Sequence, residues 1–201
     1  MLEDRNYAPI KKVTNSLIMV FCIITVLFIL VVPEMMKVLF TTDYYEAVWC
    51  IPPISVGVYF IFLYSIFVNI EEFFEKTKYV VYVSVSCGII NIILNYYCIG
   101  IFGYVACAYT TMFSYILFAI GHYVFMKKII KQKGITEEIV DGRTVLKISF
   151  IVVVASFIIT FLYSYVLLRY IILFVIVAVL FLNRKKILAT LADTPMRFTK
   201  R

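Results

Sequence analysis

From Tyr79 to Met126 the chain runs 48 residues without a charge. At 1.5 Å per residue that stretch makes about 70 Å of helix, whereas the hydrocarbon core of a bilayer is about 30 Å thick. The run is too long for one crossing and suits two. Its only turn-like sequence is Gly100-Ile101-Phe102-Gly103, which places spans at 79–99 and 104–126.

The same arithmetic applies to the other apolar stretches. Twenty-one uncharged residues lie between Lys12 and Glu34 and 24 between Glu46 and Glu71, giving spans at 16–32 and 47–70. Residues 148–183 form a 36-residue run broken only by Arg169, about 54 Å of helix and therefore a pair. A turn near Tyr163–Tyr165 divides it into 148–163 and 166–183 and leaves Arg169 close enough to the outer interface to snorkel. The predicted fold class is all-α: a polytopic transmembrane bundle of six helices (residues 16–183), between tails at 1–15 and 184–201. The composition agrees, with 64% hydrophobic and 15% charged residues, which excludes disordered, disulfide-scaffold and cytosolic-enzyme classes.

Six spans leave seven connecting segments. Summed over alternate segments, Lys and Arg number 17 on one side and 2 on the other. The positive-inside rule puts the 17, and both termini, in the cytoplasm. The net charge of +7 is thus a topology signal, with lipid headgroups rather than nucleic acid as the partner. Residues 1–15 carry charges of both signs and no small-residue cleavage site follows, so the first helix is expected to be retained.

Ionisable groups are nearly absent from the spans. His122 is the sole histidine, which rules out zinc sites needing several; it reads as an interfacial side chain near Lys127 rather than a catalytic base. Glu71, Glu72 and Glu75 read as a solvated helix end. With no paired acid and base, neither catalysis nor a proton relay is expected, and no metal or cofactor is expected. A membrane-bound transferase would need clustered His, Asp or Glu. Cys22, Cys50, Cys87, Cys98 and Cys107 contain no C-x-x-C pair and read as small buried hydrophobes.

The third span sets Ser84, Gly88, Asn91 and Asn95 on one face. Amides are costly toward lipid, so this face serves either helix–helix hydrogen bonds or contact with a polar substrate. The fourth span offers Gly103, Cys107, Thr111 and Ser114, with Ala106, Thr110 and Gly121 nearby, which predicts close packing of spans three and four. Pro52, Pro53 and Gly57 predict a kink in the second. Tyr44-Tyr45, Tyr96-Tyr97, Tyr163 and Tyr165 suit an aromatic belt.

The order of features resembles a known family. Pro33 is followed by Met35-Met36-Lys37-Val38-Leu39-Phe40, then by Asp43-Tyr44-Tyr45 and Ala47. Next come a short charged loop (Glu75-Lys76-Thr77-Lys78), Ile89-Ile90-Asn91-Ile92-Ile93-Leu94-Asn95, and the turn Ile101-Phe102-Gly103-Tyr104-Val105-Ala106-Cys107-Ala108 leading into Tyr109-Thr110-Thr111. Over roughly residues 10–165 this resembles the C-terminal region of lipid-linked oligosaccharide flippases. These are the polysaccharide exporters of the superfamily that also holds the multidrug and toxic-compound exporters. Such proteins carry a proline, a Leu-Phe-Gly segment, Tyr-x-x-Ala, an Asn-x-x-x-Asn helix and a Gly-x-x-Gly-Ala-Ala turn. Here Thr41 stands where the family often has Gly, and Ala106-Cys107-Ala108 replaces Gly-Ala-Ala.

The resemblance implies transport of undecaprenyl-linked oligosaccharide across the bacterial plasma membrane, without covalent chemistry. Within that transporter reading, Asn91 and Asn95 are the candidate substrate-path residues, and Pro52, Pro53 and Gly57 the candidate bending points. Family members have twelve to fourteen helices in two rocking lobes, and this chain corresponds to the last six. The missing helices, or a partner chain supplying them, are therefore expected. The alternative is an integral-membrane accessory subunit of a polysaccharide assembly complex that transports nothing itself.

Overall fold

A computed structural model describes residues 8–185. Residues 1–7 and 186–201 of the predicted tails lie outside the described residues, Arg5, Lys186, Arg197, Lys200 and Arg201 among them, while residues 8–15, predicted as tail, belong to the first helix. Among the described residues there are α-helices and 3-10 segments and no strand. The α-helices are α1 (Ala8–Leu39), α2 (Ile51–Phe73), α3 (Lys78–Phe102), α4 (Val105–Gln132), α5 (Gly142–Phe161) and α6 (Val166–Leu182); 3-10 segments cover Thr42–Trp49 and Leu162–Ser164. Five of the helices are long and apolar enough to cross a membrane by length and composition. The sixth, α6, has 17 residues, about 26 Å of helix. The chain is a helical membrane protein.

The predicted breaks fall at structural breaks. Gly103 ends α3 with φ 75°, and its N–H donates to the Ile99 carbonyl at 2.9 Å. A left-handed residue there favours glycine, which has no Cβ to clash. Tyr165 separates the last two helices.

Two boundaries differ from the sequence expectation. Pro33 does not end the first span; α1 passes through it to Leu39. Pro52 and Pro53 were expected to kink a helix over 47–70. Instead residues 42–49 form a separate 3-10 segment, and the two prolines sit in the first turn of α2. Missing N–H groups cost nothing there, because first-turn donors have no partner within the helix.

The centre of the bundle is α2, which packs against α1, α4 and α5. It buries Tyr59, Leu63 and Phe67 almost completely. Phe21 of α1 stacks on Phe62 at 4.0 Å, and Tyr64 lies 4.4 Å from Phe118 of α4. The Tyr59 hydroxyl meets Ser149 Oγ of α5 at 3.2 Å. Between helices in lipid, association rests on close packing and polar contacts rather than on the hydrophobic effect, and small residues mark the closest approaches. A Cβ built on Gly57 would meet Tyr115 at 3.0 Å, and one on Gly121 would meet Val83 at 2.8 Å. Gly57 thus brings α2 and α4 together, and Gly121 does the same for α4 and α3.

The helix α3 lies at the edge and packs chiefly on α4. Val83 is its one buried residue, and Ile92 is 70% exposed. The expected tight pairing of spans three and four is present. All five cysteines are half-buried free thiols; Cys22 packs against the core, so the expected role as small buried hydrophobes is met only in part.

Candidate functional site

The helices alternate in direction, so the bundle has two chemically distinct ends. One end gathers the start of α1, the α2–α3 and α4–α5 links and the end of α6, and carries the basic residues Lys76, Lys78, Lys127, Lys128, Lys131, Lys133, Arg143 and Lys147. Lys11 reaches Glu138 there at 3.1 Å, and Lys127 approaches the same carboxylate at 3.9 Å. At this end Asp141 caps α5, its Oδ1 accepting the N–H groups of Arg143 and Thr144 at 3.1 and 3.2 Å. The bonds from Thr144 hold the Asp141 carboxyl below its ordinary value. Among the described residues, the far end carries Lys37 and Arg169 as its basic residues.

Along the α3–α4 seam the two candidate amides form a ladder. Asn95 Nδ2 donates to Asn91 Oδ1 at 3.1 Å, and Asn91 Nδ2 donates to Ser114 Oγ at 3.1 Å. The Thr110 hydroxyl donates to Asn95 Oδ1, and Ser114 donates to the Thr110 carbonyl at 2.9 Å. Asn91, Ser84, Cys87 and Gly88 also line a cavity of about 240 Å³ with Thr111 and Ser114 of α4. The expected face is therefore assembled as one surface, and its amides are bonded between helices. Nothing lies within 4 Å of a Cβ on Gly88, so that glycine opens the cavity rather than closing a contact.

Near the basic end, Glu71 of α2 meets His122 of α4. His122 Nδ1 lies 3.1 and 3.2 Å from the two carboxylate oxygens, and both side chains are fully buried. Tyr64 and Phe118 cover the imidazole, while its Nε2 has no partner among the described residues. This corrects two sequence readings. Glu71 is no solvated helix end, because α2 stays packed on α4 through its last turn. His122 is not interfacial, because it faces α2 and not Lys127.

At the far end a second pair is built on Pro33. Lacking an N–H, Pro33 leaves the Ile29 carbonyl without its helical partner. The Tyr163 hydroxyl fills that vacancy at 3.0 Å. One turn further, Arg169 Nη2 bonds Glu34 Oε1, and Nη1 reaches the Leu30 carbonyl at 3.4 Å. Arg169 is 1% exposed. It was expected to snorkel; it turns inward because the Glu34 carboxylate and the Leu30 carbonyl on α1 accept its N–H groups. Trp49 lies 5.8 Å from Tyr163 and completes the corner.

These pairs were missed because each charge was judged within its own span. Alternating spans put Glu34 and Arg169 at one end, and Glu71 and His122 at the other, so pairing charges by end would have flagged both. A further cavity of about 450 Å³, lined by Phe60, Leu63, Phe67, Tyr123 and Leu146, opens between α2, α4 and α5 and is apolar. Among the described residues no group of three or more His, Cys, Asp or Glu side chains is placed to hold a metal.

No protein family matches the chain, and neither does any curated protein or any solved structure.

Proposed function

We propose that the chain forms part of a bacterial plasma-membrane flippase for lipid-linked oligosaccharide. In this reading it crosses six times with its basic end and both termini in the cytoplasm, and it acts together with further helices. The observation that carries the reading is the polar α3–α4 seam. It sits on the least covered helix of the bundle, and its cavity is lined by Ser84, Asn91, Thr111 and Ser114. Asn91 and Ser114 are bonded across the seam, whereas Ser84 is exposed on α3 and hydrocarbon offers it no partner, so the seam suits a neighbouring helix bundle and a polar path between the two. The family resemblance supplies the substrate class, undecaprenyl-linked oligosaccharide, and the polar face read from the spacing of Asn91 and Asn95 supplies the candidate path. The reaction moves a lipid between leaflets and makes or breaks no covalent bond, so the protein is read as a transporter and not as an enzyme.

The test is deletion of the reading frame followed by leaflet-resolved assay of lipid-linked oligosaccharide. The expected result is substrate retained in the inner leaflet, out of reach of an external glycosidase, with surface polysaccharide lost. If the substrate still reaches the outer leaflet while polysaccharide is lost, the chain is the accessory subunit. If neither changes, the polysaccharide reading fails. Orientation is tested separately by reporter fusions: a phosphatase fused after Gly103 should be active and one fused after Arg201 inactive.

A further inference from the structure

At the far end, α1, the segment Thr42–Trp49 and the start of α6 enclose a pocket of about 190 Å³ whose lining includes Lys37, Tyr45, Trp49, Tyr163, Val166 and Arg169. We propose that this pocket binds one anionic saccharide unit, a uronate or a sugar phosphate, with the ring against the aromatic side chains and the anion on Arg169 and Lys37.

Three features converge on an anion. A guanidinium has five N–H donors. Arg169 spends Nη2 on Glu34 and Nη1 on the Leu30 carbonyl, while its buried Nε has no partner among the described residues. Of the charged groups at this end, Lys37 and Arg169 line the pocket; Glu34 is bonded to Arg169, Glu46 accepts from Tyr104, and neither they nor Asp43 are among the lining residues. In α6 the Arg169 N–H donates to the Tyr165 carbonyl at 3.1 Å; the N–H groups of the three residues before it point out of the helix end, beside the pocket wall at Val166. The other walls are apolar rings, as in sites that hold a small ligand through a few placed polar groups. The volume equals roughly six waters at about 30 Å³ each, which suits one sugar ring. That the sugar belongs to a transported glycan rests on the flippase reading; affinity of the pocket for an acidic sugar does not.

Trp49 is the single tryptophan of the chain and lines the pocket, so its emission reports occupancy directly. The experiment titrates the full chain, in phosphatidylcholine nanodiscs, with glucuronate, glucose and inorganic phosphate, and repeats it with phosphatidylglycerol in the nanodisc. The expected result is a saturable change with glucuronate and none with glucose. Lys37→Gln, at an exposed position, should weaken glucuronate binding about tenfold. An equal response to glucose, or an unchanged affinity in the Lys37→Gln variant, would overturn the proposal. If phosphate or phosphatidylglycerol matches glucuronate, the site is a lipid-headgroup or free-phosphate site and the saccharide assignment is wrong. Glucuronate binding together with normal leaflet distribution in the deletion strain would keep the pocket and remove the flippase reading.

Discussion

Replacing His122 with phenylalanine should strand Glu71 inside the bundle. Phenylalanine fits a slot already walled by Tyr64 and Phe118, so little packing is lost. What is lost is the only partner that the fully buried carboxylate has among the described hydrogen bonds. Breaking a buried pair from one side costs about 3–5 kcal/mol where both groups are charged, and leaving a neutral polar group unsatisfied costs about 1–3 kcal/mol. The expected cost lies between those two cases, at about 2–4 kcal/mol. Combining Glu71→Leu with His122→Phe removes both polar groups and should recover most of that loss. The assay is reversible unfolding in mixed micelles, followed by helical circular dichroism, over wild type, both single variants and the double. The reasoning is refuted if His122→Phe lies within about 0.5 kcal/mol of wild type, or if the double variant is as unstable as the sum of the singles.

The Asn91 ladder should matter less, since interhelical hydrogen bonds in lipid average about 0.6 kcal/mol; Asn91→Leu is expected to cost about 0.5–1.5 kcal/mol in the same unfolding assay. Tyr163→Phe orphans the Ile29 carbonyl and should cost about 1–2 kcal/mol, and less when Pro33→Ala restores a backbone donor, which a double-mutant cycle measures. Gly121→Ala drives a methyl into Val83 and should destabilise by about 1–3 kcal/mol, with Val83→Ala rescuing it. Asp141 titrates below its ordinary value of 3.8 in the folded chain, so its cap stabilises α5 above that pH and is lost as pH falls through the folded value. Thermal melts between about pH 6 and about pH 3 should show an acid-side loss that is smaller in Asp141→Asn, which caps without titrating.

Lengths of uncharged sequence made the helices legible, because crossing a fixed thickness demands a fixed number of residues. The Gly103 and Tyr165 breaks followed from the same limit. The face carrying Asn91 and Asn95 was legible from spacing alone, although spacing could not decide whether the amides bond Ser114 and Thr110 or a substrate. Proline chemistry was half legible. A proline removes a donor wherever it stands, but whether that bends a helix depends on what takes the freed carbonyl. Here Tyr163, 134 positions away in the chain, takes it, and no local pattern announces that. The Glu71–His122 and Glu34–Arg169 pairs were hidden for a related reason: a charge at a span end looks solvated until a neighbouring helix covers it.

The bond from Arg169 to Glu34 joins positions 135 residues apart, and this has a consequence during synthesis. When α1 enters the membrane, the ribosome has yet to translate more than a hundred residues before the arginine exists. Throughout that interval Glu34 and the Ile29 carbonyl await partners from the α5–α6 corner. A chain halted before Val166 would keep that acidic defect in its first helix, a mark by which a membrane protease could tell an unfinished product from a finished one.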